Sequence, residues 1–351
     1  MPQQKTNDTN NPLAHYTSTS LPVVQVSTQT HHIAGILTTI YGLAELSPSA
    51  NSLAVLWLLH PRLQTQACMQ PLAANTILTW NQRAPSKTQG LIAVSFDQRN
   101  HGTRLVDKVA NESWRGGNNR HAIDMFGIYH GTQQDMSLLL TYLPAYLPLS
   151  APKIGRNIAL GISLGGHAAY LAAMHEPRVD AAVVVIGCPD YTRLMTQRAQ
   201  KSKRKTWLQT EEEPGARFLG SEDFPHGLIE AISAYDPTGL LAQGIDLSKG
   251  PSDADKARLR PVIQRALGGK KMLCLSGGAD KLVPYAQSAP FLTYFKDAIA
   301  EGGWCGDLGI ELTDEVYEGV GHEMTPAMAE RAVAWICSVL DVPSQKGHAK
   351  I

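Results

Sequence analysis

The sequence has 351 residues, 43% of them hydrophobic and 18% charged, enough for a sizeable core in one large α/β domain or two smaller ones. Its 31 Lys and Arg balance 31 Asp and Glu, and a formal net charge of zero gives no reason to expect nucleic acid or an anionic membrane as a partner. The absence of any run of about 18 apolar residues argues against a membrane span. The first residues, MPQQKTNDTNNPLAH, are polar and lack the apolar stretch of a signal peptide, so a cytoplasmic location is expected. Residues 1–20 read as a flexible tail or a strap over the surface. The five cysteines, at 68, 188, 274, 305 and 337, form no CxxC or metal-like grouping and suit a reducing compartment.

In chain order, 21–27 and 33–41 are β-rich and suggest an antiparallel start to a sheet. Residues 53–59 are a continuous apolar run of buried-strand type, followed by a helix through 73–80 and a strand at 91–96. A helix is expected over 136–147, ending near prolines, and a strand over 156–160. Residues 181–186 are almost pure Ala and Val, the composition of a parallel strand covered on both faces. Strands at 271–275 and 311–317 and a last helix over 325–340 complete the alternation, which predicts a mostly parallel sheet in three layers. Residues 191–269 interrupt this rhythm with helical patches and no strong strand. Their basic run, 201–205, and acidic run, 211–213, read as a solvated helix with complementary charges rather than a phosphate or nucleic-acid patch. The expected organisation is therefore a tail (1–20), an α/β core (21–190 and 270–341), a helical cap or lid (191–269) and a second flexible tail (342–351).

The chemistry concentrates at three loops. Gly161-Ile162-Ser163-Leu164-Gly165 follows an apolar strand and leads into a helix; its small residues allow close approach, and the Leu164 backbone N–H can face a developing oxyanion. A serine hydroxyl needs a base to take its proton, and a neutral imidazole needs a carboxylate to hold its tautomer. Asp280, in GGADKLVP after the 271–275 strand, and His322, in GVGHE after the next strand, supply that carboxylate and base at the same sheet edge as Ser163.

On these residues the chain resembles the α/β-hydrolase superfamily, in the manner of serine esterases, dienelactone hydrolases and prolyl-oligopeptidase-like catalytic domains, over about residues 30–340. GxSxG is complete, GGADKLVP is similar to the family's acid loop and Gly321-His322 to its histidine loop. Leu58-Leu59-His60-Pro61-Arg62 resembles the HG oxyanion loop, and Asp97-Gln98-Arg99-Asn100-His101-Gly102 the D-x-R-x-H-G turn. The resemblance implies a three-layer α/β fold with a helical cap and a serine hydrolase in which Ser163 attacks, His322 shuttles the proton and Asp280 orients it. Pro61 stands where the family has glycine, so the second oxyanion donor falls to the backbone of Arg62 or Leu63.

His60, Asp190, His167 and Trp114 are further candidates for the substrate pocket, Asp190 also as a second acid. Asp97, Arg99 and His101 read as a structural turn held by Asp–Arg hydrogen bonds, and 114–125 as either a pocket lining or a polar surface loop. No metal-like cluster and no nucleotide-binding motif occurs, so no cofactor is expected. The expected substrate is a small or medium organic ester, lactone or amide enclosed by the cap, with carboxylic ester or lactone hydrolysis favoured. A prolyl-oligopeptidase-like peptidase is the alternative, followed by a lyase or acyltransferase on the same scaffold. The oligomeric state, a homodimer included, is left open.

Overall fold

The computed structural model describes residues 11–14, 16, 25–83, 88–208 and 213–342. Strands β1 (Thr28–Ile33) and β2 (Ile36–Tyr41) form a hairpin, followed by β3 (Ser52–Leu59), α1 (Gln70–Arg83) and β4 (Gln89–Phe96). Then come α2 (His121–Tyr142), β5 (Lys153–Ile162), α3 (Leu164–His175) and β6 (Ala181–Val185). A helical insertion carries α4 (Tyr191–Lys201), α5 (Lys205–Leu208), α6 (His226–Tyr235), α7 (Pro237–Leu241) and α8 (Asp253–Leu267). The chain returns to the sheet with β7 (Lys271–Gly277), α9 (Tyr285–Ile299), β8 (Glu311–Tyr317) and α10 (Pro326–Asp341).

The described strands form one eight-stranded sheet in the order β1-β2-β4-β3-β5-β6-β7-β8. The β1–β2 and β2–β4 pairs are antiparallel and all others parallel. Alternation along each strand divides the core between its two faces. In β3, Leu53, Val55, Trp57 and Leu59 join the cluster under α2, α3 and α9. Ala54, Leu56 and Leu58 join the cluster under α1 and α10. Because β3 and β5 are neighbours while the chain winds outward in both directions from them, the switch point of the sheet lies at their carboxyl ends, where open α/β sheets bind ligands.

Local chemistry explains where boundaries differ from the sequence reading. The hairpin turns at Ala34-Gly35, both at positive φ, which splits the expected 33–41 strand and moves its partner to 28–33. Of the 21–27 stretch, 21–24 lie outside the described residues and 25–27 form no strand. Helix α2 begins fifteen residues before the expected start at 136, through a segment whose Gly127 and Gly131 mask its periodicity. A Cβ at Gly131 would press into the Arg99 side chain, so this glycine leaves room for the arginine to cross the helix.

The insertion is built from helices and packed aromatics, and its apolar core is Phe218 and Phe224, both fully buried, with Trp207 against Phe218. It is tied to the sheet layers by the Tyr191 hydroxyl on the Ala122 carbonyl and the Tyr294 hydroxyl on the Leu241 carbonyl. Helix α8, opened by a Ser252/Asp255 capping box, packs on α3 and leads into β7. The basic run is not a uniformly solvated face: Arg204 pairs with the buried Asp223 at 2.6 Å. Residues 211 and 212 of the acidic run lie outside the described residues, as do most of 1–20 and all of 343–351. Within the first of these tails, Leu13 and Tyr16 are buried against the body, and the Met324 N–H donates to the Pro12 carbonyl. No helix among the described residues is long and apolar enough to cross a membrane.

Candidate active site

Ser163 sits between the end of β5 and the start of α3 with φ 55° and ψ −111°, a left-handed conformation that an L-residue adopts only under constraint. Two glycines make it feasible. A Cβ at Gly161 would strike the carbonyl of Gly165, and one at Gly165 would strike the carbonyl of Leu59. The Ser163 N–H is anchored on the Val185 carbonyl at 2.9 Å, fixing the turn to the neighbouring strand. The residue just after that strand, Ile186, is also at positive φ, 47°.

Ser163 Oγ lies 2.8 Å from His322 Nε2, and His322 Nδ1 lies 2.7 Å from Asp280 Oδ2. With Nδ1–H donating to Asp280, Nε2 is free to accept the serine proton. The other Asp280 oxygen accepts the N–H groups of Leu282 and Val283 at 2.8 and 2.9 Å. The Asp280 side chain is fully buried and that of His322 15% exposed. Burial pushes the Asp280 carboxyl up, but the His322 hydrogen bond and charge and the two backbone donors outweigh it and hold it below the usual range. The backbone N–H groups of Leu164, at the first turn of α3, and of Arg62 find no acceptor among the described residues, as donors for an oxyanion require.

Ser163, Leu164, Arg62, Trp114 and His322 face a cleft of about 620 Å³ between the strand ends and α4. That is ample for a small organic molecule. Asn11 and Pro12 complete its wall from the N-terminal segment. The remaining sequence candidates sit elsewhere. His60 is fully buried beneath the loop: its Nε2 accepts the Gln98 N–H at 3.0 Å, so Nδ1–H donates to the Pro61 carbonyl at 2.8 Å. Burial and the adjacent His101 press it down to about 4, and it acts as a neutral brace for 60–63. His167 is buried and stacked on Tyr129, with Nδ1 3.0 Å from the Cys188 carbonyl oxygen; burial lowers it to about 3, which fits a neutral core imidazole. Asp190 caps α4 by accepting the Arg193 N–H, and it lines a separate cavity of about 660 Å³ with the buried Asp236. It makes no contact with His322, so the second-acid alternative has no geometric support here.

The 97–102 turn is structural, with different partners from those expected. Asp97 accepts backbone N–H groups of Gln66 and Thr103, while Arg99 reaches Asp135 on α2 through two 3.0 Å hydrogen bonds. Sequence reasoning missed Asp135, which holds the turn, and Arg198, which lines the cleft beside His121 and Met125. His121 and Met125 fall within the 114–125 stretch left open above, whereas Arg198, in the middle of a polar cap helix, carries no local signal. Among the described residues no group of three or more His, Cys, Asp or Glu could hold a metal ion.

Neither a protein-family model nor any curated protein matches the sequence. Among solved structures, TT1662 from Thermus thermophilus is 19% identical and covers 91% of this chain and 100% of its own, with a TM-score of 0.56. Acylaminoacyl peptidase from Pyrococcus horikoshii is 13% identical with a TM-score of 0.49, over 95% of this chain but 43% of its own. Est1E from Butyrivibrio proteoclasticus, solved with ferulic acid, is 12% identical with a TM-score of 0.45, over 89% of this chain and 97% of its own.

Proposed function

The chain has the fold of the α/β-hydrolase superfamily, and from that premise we propose that it is a serine hydrolase cleaving a carboxylic ester or lactone of a small or medium organic substrate. The unbroken chain of hydrogen bonds from Ser163 through His322 to Asp280, opening on a cleft, carries this reading. Ser163 Oγ attacks the substrate carbonyl as its proton passes to His322 Nε2. The carbonyl electrons move onto oxygen, where the N–H groups of Leu164 and Arg62 stabilise the charge. The leaving alcohol takes the proton from His322, and an acyl ester remains on Ser163. Water then gives a proton to His322 as it attacks the acyl carbon, and the intermediate collapses to release the acid while His322 returns that proton to Ser163 Oγ. Asp280 stays ionised and pairs with the imidazolium in both steps.

The test is labelling by a fluorophosphonate, which phosphonylates a serine only where a base activates it. The folded wild-type protein labels and Ser163→Ala does not. A wild-type protein that stays unlabelled while folded removes the mechanism. A panel of p-nitrophenyl esters, lactones and aminoacyl anilides then ranks ester and lactone against amide.

A further inference from the structure

The charge of the cleft goes beyond its chemistry. A chain with zero net charge places five cations around one opening, Arg62, Arg115, Arg198, Lys201 and Lys281, against a single carboxylate, Glu112. None of the five forms an ion pair with a described residue. Asp280, the other acid near Arg198, spends its oxygens on His322 and two backbone N–H groups.

The cations are graded in depth. Arg115, Lys201 and Lys281 are exposed at the rim, while Arg62 and Arg198 are half-buried. Arg198 is held rigidly: one terminal nitrogen donates to His121 Nε2 and contacts Met125 Sδ, both at 3.2 Å, and the other donates to the Leu282 carbonyl at 3.0 Å. His121 can accept because its Nδ1 donates to the Glu112 carbonyl. A guanidinium has five N–H donors, and these contacts leave some of them without an acceptor among the described residues. Burial and the neighbouring Arg62 push Arg198 down to about 10, the response of a cation lacking its counter-charge. The same wall holds a further unmatched donor: Trp114 is 6% exposed and its buried indole N–H has no acceptor among the described residues. Half-buried cations and an orphaned donor cost stability where nothing accepts from them, and a ligand anion would remove that cost.

We propose that the substrate is an anionic ester or lactone whose carboxylate is held by Arg198, with Arg62 beside it and the rim cations drawing it in. This deepens the serine-hydrolase reading and rests on it for the reaction, though not for the binding. It also gives the basic run at 201–205 a role at its first residue, since Lys201 stands at the mouth of the cleft.

Two pairs of esters test it, each matched in shape and differing in charge. Mono-p-nitrophenyl glutarate against p-nitrophenyl valerate puts the carboxylate on the acyl side. 4-Acetoxybenzoate against 4-acetoxybenzamide puts it on the leaving group. The expected result is a kcat/KM preference of ten-fold or more for the anion in one pair, which identifies the side. It falls toward unity in Arg198→Gln mainly through KM, and largely survives in Arg198→Lys. Equal turnover of both members in both pairs, or a preference untouched by Arg198→Gln, overturns the proposal. Calorimetric titration of glutarate and glutaramide into Ser163→Ala reads the anion site without turnover or an Arg198 variant. Tighter binding of glutarate, weakened by added salt, supports the site even if no ester is cleaved, and equal binding overturns it. Absence of both turnover and fluorophosphonate labelling, with that binding difference intact, overturns the hydrolase reading alone.

Discussion

Asp280 shows how little freedom the residues of this site retain. Both of its oxygens are committed, one to His322 and one to the amides of Leu282 and Val283, so the carboxylate cannot rotate without breaking three hydrogen bonds. Replacing it by Asn keeps the shape but offers His322 an amide in place of an anion, which favours the wrong tautomer and leaves the imidazolium unpaired. Asp280→Asn is expected to lower kcat by about 10³–10⁴-fold while the far-ultraviolet circular dichroism stays native. A loss of under ten-fold in steady-state turnover would mean that another carboxylate orients His322. The three residues were legible in sequence because each stands in a loop with its own local signature: glycines about Ser163, GGAD about Asp280, Gly before His322. Their mutual distances were not, since 42 positions separate Asp280 from His322 and 159 separate Ser163 from His322.

At the scale of elements, glycine is required in one place and tolerated in another. At the turn from β5 to α3, the carbonyls of Gly165 and Leu59 occupy the space that side chains at 161 and 165 would need, and these obstacles are backbone atoms that cannot swing aside. In α2, by contrast, Gly127 is exposed mid-helix with open space around its Cα. Gly161→Ala is expected to cost about 3 kcal/mol or more, and Gly127→Ala to add about 0.5–1 kcal/mol, both read from urea unfolding. Equal effects would show that the clash at the turn relaxes. The same contrast explains the sequence reading of these elements. The turn was legible because its glycines are an obligate pattern, whereas α2 was half hidden because Gly127 and Gly131 weaken the helical signal. Its length is secured by buried apolar residues from Ala122 to Leu140 and by Asp135, which binds Arg99 and also Arg104 at 2.8 Å. Such long-range pairs leave no trace in local periodicity.

Across the whole molecule, buried imidazoles set the response to acid. His60 is depressed to about 4 and His167 to about 3 by burial first, with His101 and His121 also lowered. Unfolded histidines titrate near 6.5, so as pH falls below that value the unfolded chain takes up protons that the folded chain refuses. The stability these neutral rings confer is complete above about 6.5 and is lost between there and their folded values. For His60 alone this amounts to about 3 kcal/mol at pH 4. Asp280, lowered when folded, adds a loss in the same direction at still lower pH. The urea midpoint is therefore expected to drop steadily from pH 7 to pH 4, and less steeply in His167→Phe, which keeps an aromatic ring against Tyr129. A flat profile in the wild type would mean that these rings become charged without unfolding.

By itself the sequence determined the alternation of strands and helices, the three loops of the proposed mechanism and their common edge, because each depends on apolar runs and turn residues within a few positions. It also marked out the insertion after β6, by the lapse of that alternation. The sequence had already offered Arg62 and Trp114 for the site, but only the tertiary structure decided which other segments join them around the cleft. Arg62 follows β3, Trp114 precedes α2, Arg198 lies on a cap helix, Lys281 follows β7, and Pro12 arrives from the N-terminal segment. Their meeting follows from sheet order and from the way α4 folds back over the switch point, and no spacing along the chain records it. A net charge of zero gave no reason to expect nucleic acid or an anionic membrane, and it could not reveal the cations gathered at the cleft, because a sum over the chain cannot show where its charges gather. Electrostatic recognition depends on local distance and dielectric, which are fixed only when the chain is folded.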